Sequence, residues 1–242
     1  MIYSREFYSL NLRFAQRVAL VTGQPFEQAC LHYTNLYVRF GLGRDLNPAH
    51  PVWQDYIAGL RDGQDAIEWT FLFARQHKAQ TTPDVSQPMF GCFSYSMWDN
   101  QRVRLHFHNR EEAGVSPLSE ERHPIRMSEL RAMFVSIQQH EVGVKSVVGG
   151  SWLYHLDGYR KLFPLEFLAT AKPGKQDYPY MTLWGQFLDR DGQVRQPLAA
   201  RFIERLERQT TLEGLLDCFP LSVLYLEAPV EVFYPYFGID NK

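Results

Sequence analysis

His106 and His108, in the run Leu105-His106-Phe107-His108, are the pair whose spacing most directly suggests chemistry. Side chains two residues apart on a strand share a face, so both imidazoles could approach one metal ion. That would be the start of a metal-dependent hydrolase. A third ligand is missing from the neighbourhood. His123 follows a loop and Asp99 lies across a hairpin turn, neither at a recognisable spacing. The same pattern fits two polar residues on the solvent face of a strand whose Leu105 and Phe107 face the core, and no metal site is assigned.

Other chemistry-bearing residues are scattered. Gly41-Leu42-Gly43-Arg44 could hold an anion with exposed amides and a guanidinium. It neither follows a strand nor opens a helix, so it matches no phosphate-binding fingerprint, and Gly41 reads equally as a helix C-cap. Gly150-Ser151-Trp152 follows a strand but forms no GxSxG elbow. Cys92 reads as a strand residue without a basic neighbour to activate its thiol.

The elements that must position such residues centre on Val144–Pro164. An apolar, β-branched run (Val144, Val147, Val148) meets Gly149-Gly150, passes through Ser151-Trp152-Leu153-Tyr154 and turns helical over Leu156–Phe163. A glycine pair inside a strand pattern either kinks the strand or admits a ligand close to the backbone. Gly149, Gly150, Ser151 and Trp152 are therefore the candidate binding residues. Before this stretch, residues 1–80 read as a helical layer with no strand signal. Apolar spacing predicts helices over 4–21, from Pro25 to Phe40, from Pro51, and from Gln64 to Lys78. Gln80–Pro88 reads as a hinge. From 88 to 242 the pattern is mixed: a hairpin over Met89–Trp98 and Val103–His108, a loop over Asn109–Pro124, and a helix through Leu130, Phe134 and Ile137. A second hairpin is expected over Tyr180–Leu188 and Gln193–Gln196, followed by helices and two closing strands, Leu221–Glu227 and Val230–Phe237. The fold class expected is α+β, with the helical N-terminal layer packed on a mixed, mostly antiparallel sheet in one compact unit.

Composition bounds the rest. The 242 residues are 45% hydrophobic, enough for a sizeable core. A net charge of −2 argues against a nucleic-acid partner, which calls for a basic face. No apolar run is long enough to cross a bilayer, so no membrane association is expected. Three distant cysteines and no signal-peptide pattern point to a reducing, cytoplasmic setting. The many Tyr and Phe residues would also suit a non-catalytic interaction protein or a homo-oligomer.

The order hairpin (89–108), loop (109–124), helix (126–140), strand (144–154), short helix (156–163) and closing strands resembles the core of the GNAT-type N-acetyltransferases. Leu156-Asp157-Gly158-Tyr159-Arg160-Lys161-Leu162-Phe163 is similar to that family's helix ending, without its Gly before the Phe. The pyrophosphate loop departs from the pattern: Arg110-Glu111-Glu112-Ala113-Gly114-Val115 has a different spacing and two carboxylates that repel an anion. The resemblance implies an acetyl-CoA or other acyl-CoA cofactor along the strand at Gly149-Gly150, and acyl transfer to an amine or hydroxyl of a small-molecule substrate. It further implies Tyr159 as the acid that protonates the leaving thiolate; for such a transfer a carboxylate or histidine, Glu111 or His108, is the candidate to accept the nucleophile's proton.

Overall fold

A computed structural model describes residues 3–63, 65–77, 88–112, 114–174 and 182–240. Apart from Pro88, the hinge expected at Gln80–Pro88 lies outside the described residues. So do Ala113, the starting point Gln64 and end point Lys78 of the fourth helix, and the start of the second hairpin at Tyr180.

Five helices come first: α1 (Arg5–Thr22), α2 (Phe26–Tyr33), α3 (Leu36–Arg39), α4 (Pro51–Arg61) and α5 (Ala66–Gln76). Strands β1 (Met89–Phe90), β2 (Phe93–Asp99) and β3 (Arg102–Phe107) follow, then α6 (His123–His140) and β4 (Ser146–Ser151). The remainder comprises α7 (Asp157–Arg160), α8 (Leu165–Leu168), β5 (Lys172–Pro173), α9 (Gln196–Glu207), α10 (Leu212–Leu216), β6 (Leu224–Pro229) and α11 (Phe233–Tyr236). The fold class is α+β. None of the described helices is long and apolar enough to cross a membrane.

Contacts group the chain into two compact units. One joins Met1–Thr81 to Gln176–Leu221, and the other joins Thr82–Lys175 to Ser222–Lys242. Neither unit is continuous in sequence.

In the first unit, α1 places Phe7, Leu10, Phe14 and Val18 on one buried face. It stops where Gly23 adopts φ 72° and donates its N–H to the Ala19 carbonyl, a left-handed cap that glycine takes without steric cost. The helix expected from Pro25 to Phe40 is two. The Thr34 hydroxyl donates to the Cys30 carbonyl and accepts from the Leu36 N–H, drawing the backbone out of helix at Thr34-Asn35. Asp65 caps α5 by accepting from the Ile67 and Glu68 N–H groups. Among the described residues the second expected hairpin is not formed. Leu183–Phe187 is a 3₁₀ turn, and a lone antiparallel bridge joins Leu188 to Val194. Trp184, whose bulk suggests a strand, is instead fully buried against Phe14, Phe202 and Phe219.

The second unit holds a six-stranded sheet in the order β1-β2-β3-β4-β6-β5. Every neighbouring pair is antiparallel except β3 and β4. A crossover through α6 is what allows these two strands to run parallel. Leu130, Met133, Phe134 and Ile137 of α6 are buried in the cluster that also holds Phe93, Tyr95, Val103, Leu105 and Val147. Val230–Phe237, expected as the last strand, is a 3₁₀ turn followed by α11. Its Phe233 and Phe237 stack on Phe134, with ring centroids 4.7 and 5.0 Å away.

Candidate functional site

The strand through Gly149-Gly150 is unbroken. β4 keeps one register with β6 from Ser146↔Pro229 to Ser151↔Leu224. The glycines neither kink nor bulge it, which corrects the expected interruption. Each is explained by a neighbouring side chain. A Cβ on Gly149 would lie 2.2 Å from the Tyr154 hydroxyl, and one on Gly150 would lie 3.2 Å from both an Arg104 guanidinium nitrogen and the Tyr225 ring. These positions make opposite predictions. Tyr154 is buried and cannot yield, so Gly149→Ala should cost about 1–3 kcal/mol in urea unfolding. Gly150→Ala meets movable groups and should cost less than about 1 kcal/mol. Equal costs would defeat this explanation.

On its other side β4 is different. Among the described residues the parallel ladder to β3 ends at Arg104↔Val148. Both strands run on, β3 to Phe107 and β4 to Ser151. Their outer edges stay paired throughout, Phe107 with Phe93 and Ser151 with Leu224. The inner edges of residues 105–107 and 149–151 therefore form the two prongs of a fork. A central strand directs backbone polar groups to both sides, and past Arg104↔Val148 no further β3–β4 pairing continues the ladder among the described residues.

Two tyrosines close the core side of this fork. Tyr159 packs edge-on against Phe107 of the β3 prong, 5.5 Å between centroids, and Tyr154 lies against Gly149 of the β4 prong. Their rings meet edge to face, 5.0 Å between centroids. Tyr159 is 2% exposed, and burial pushes both phenols well above their ordinary range. The Ser151 hydroxyl accepts from the Leu153 N–H and caps the 3₁₀ turn Trp152–His155, so Trp152 leaves the strand immediately after the prong.

The remaining expected site residues fall into two places. His108 follows directly on the β3 prong, with its Nε2 2.9 Å from the Ser94 hydroxyl. His106 pairs likewise with Ser96 at 2.8 Å, and the two rings are 6.5 Å apart. Among the described residues no set of three His, Cys, Asp or Glu side chains gathers as a metal site. Glu111 lies elsewhere, 2.8 Å from Arg126 and 3.5 Å from Arg122. Arg126 is 3% exposed and also bonds Glu129 at 3.1 Å and the Cys92 sulfur. Cys92 thus has a basic neighbour after all, and it sits in the turn before β2 rather than in the strand. Burial still pushes its thiol up, with the Arg110 backbone N–H and Arg126 offsetting only part of that. A neutral buried thiol is no nucleophile. This cluster was not legible in sequence because Glu111 and Cys92 lie 15 and 34 positions from Arg126.

Two surface hollows have no fork residue in their lining. One, of about 520 Å³, is lined by charged groups around Arg102 and Ser146, the first residues of β3 and β4. The other, of about 430 Å³, lies along α1 and α9. Comparison with known proteins finds no matching family model, no curated protein of significantly similar sequence and no solved structure of significantly similar fold.

Proposed function

We propose that the fork between β3 and β4 receives the extended pantetheine arm of a coenzyme-A thioester, and that the chain transfers the acyl group to an amine or hydroxyl. The observation that carries this reading is the end of the central ladder at Arg104↔Val148 while both strands continue. The amides of pantetheine alternate donors and acceptors, so the arm matches two open strand edges as an added strand does. The succession β2–β3, α6, β4, α7 and closing strand, on which the acetyltransferase resemblance rests, supports the same ligand class.

A thioester carbonyl that accepts from a backbone N–H of the fork is polarised towards attack. The acceptor's lone pair forms the new C–N or C–O bond, the C–S bond breaks, and the electron pair leaves on sulfur. His108, at the tip of the β3 prong, takes the acceptor's proton, whereas Glu111 is committed to Arg126 and Arg122. Tyr159 takes a different part from the one the resemblance implies. A thiol of pKa about 8.5 leaves as thiolate near neutrality without help. A phenol held above its ordinary range is a weaker acid than that thiol and does not protonate it. Tyr159 with Tyr154 instead floors the fork, and the thiolate takes its proton from water.

Hydrogen exchange and thermal melting with coenzyme A, acetyl-CoA and ADP test the reading. At a hundredfold excess over Kd, coenzyme A should add about 2.7 kcal/mol, a rise of a few degrees. The amides of Phe107 and Gly150, on the gap side by strand alternation from His108 and Lys145, should slow in exchange, and ADP alone should not slow them. An unchanged melting point, or protection that leaves those amides untouched, would remove the reading in favour of a non-catalytic interaction protein.

A further inference from the structure

The hollow along α1 and α9 belongs to the first unit and has no part in the fork. α1 contributes Glu6, Ser9, Leu10 and Arg13, spaced i, i+3, i+4, i+7, and α9 contributes Gln196, Ala199, Ala200 and Ile203 at the same spacing. Each helix therefore turns one stripe towards a common groove, the arrangement into which the ridge of a third helix fits. The floor is apolar, made by buried Leu10 and Ala199 with half-buried Ile203 beside them. Small side chains at Ser9, Ala199 and Ala200 let another backbone come close. The α9 wall runs from Gln196 to Glu207, about 16 Å at the helical rise of 1.5 Å per residue.

The rim selects the occupant. Glu6, Glu204 and Glu207 line the groove with Arg13, and since Glu204 is paired with Arg208, Glu6 and Glu207 set its acidic excess. A second copy of this chain would bring the same acidic excess to the contact and be repelled. We propose that the groove docks an amphipathic helix of a partner protein, with small apolar residues along its seam and lysine or arginine on its flanks. Helix-in-groove recognition takes its affinity from the seam. The flanking charges set the choice of partner.

A synthetic helix with an alanine–leucine seam and lysine flanks, and its twin with glutamate flanks, can be titrated onto the full chain by fluorescence anisotropy. The lysine peptide should bind saturably and weaken as salt rises. Glu207→Lys should weaken it about tenfold, and Ala200→Trp, which fills the groove from an exposed position, should abolish binding while circular dichroism shows both variants folded. Absence of saturable binding, equal binding of the two peptides, or variants that bind like wild type would overturn the proposal. So would self-association in sedimentation that Ala200→Trp abolishes, since the occupant would then be a second copy.

Discussion

Arg126→Met should lower the unfolding free energy by about 3–5 kcal/mol, the cost of removing one partner from a buried ion cluster. The guanidinium stands between Glu111 at 2.8 Å and Glu129 at 3.1 Å, and neither carboxylate side chain is more than 16% exposed. Glu129 is already engaged by the Cys92 N–H at 3.1 Å, so it cannot turn out to water without breaking the turn before β2. A Cβ on Gly91 would strike the Glu129 side chain, which shows how closely that turn is moulded over the cluster. Loss of Arg126 leaves two carboxylates facing one another where water reaches them poorly. Urea unfolding measures the effect. Adding Glu111→Gln and Glu129→Gln to the variant should restore much of the loss, because two neutral amides carry no unpaired charge. A single-variant loss under about 1 kcal/mol would mean that the cluster is solvated like a surface pair.

Trp184→Ala should be comparably damaging, about 3–5 kcal/mol, because it empties a site closed on every side by aromatic rings. Phe14, Phe187, Phe202 and Phe219 surround the indole with centroids 5.2 to 6.0 Å away. Its Nε1 is buried and meets no acceptor among the described residues. That donor contributes a desolvation cost and no bond. Trp184→Phe should therefore retain more than half of what alanine loses, since it sheds the unsatisfied N–H along with part of the ring. Chemical denaturation of both variants decides this. A phenylalanine variant as unstable as the alanine one would mean that shape complementarity of the indole, not its buried area, holds the site.

Local patterns were legible in the sequence, and contacts between distant segments were not. The β2–β3 hairpin follows from two β-prone runs around Asp99–Arg102, with Asp99 accepting from the Gln101 N–H in the turn. The helical period of α1 and its glycine stop are equally local. Val230–Phe237 misleads because valines and aromatics favour strands by propensity alone. Packing of Phe233 and Phe237 onto Phe134 decides for helix there, and that contact spans about a hundred residues. Gly149-Gly150 correctly marked a place where something comes close to the backbone. What comes close is Tyr154, Arg104 and Tyr225, and no period in the sequence announces them. The fork was hidden for the same reason: where a parallel ladder stops depends on two strands joined by a long crossover.

The interleaving of the two units bears on how the chain is made. β1, β2 and β3 are neighbours in sequence and can pair as soon as they leave the ribosome, and β4 can join β3, whereas its other edge waits for β6. Between them comes Gln176–Leu221, which belongs to the other unit and must join helices synthesised before β1. Until Leu224–Pro229 has emerged, one edge of β4 stays open and β5 has no neighbour, so β6 and β5 complete the sheet last. Neither unit can be excised by a single cut.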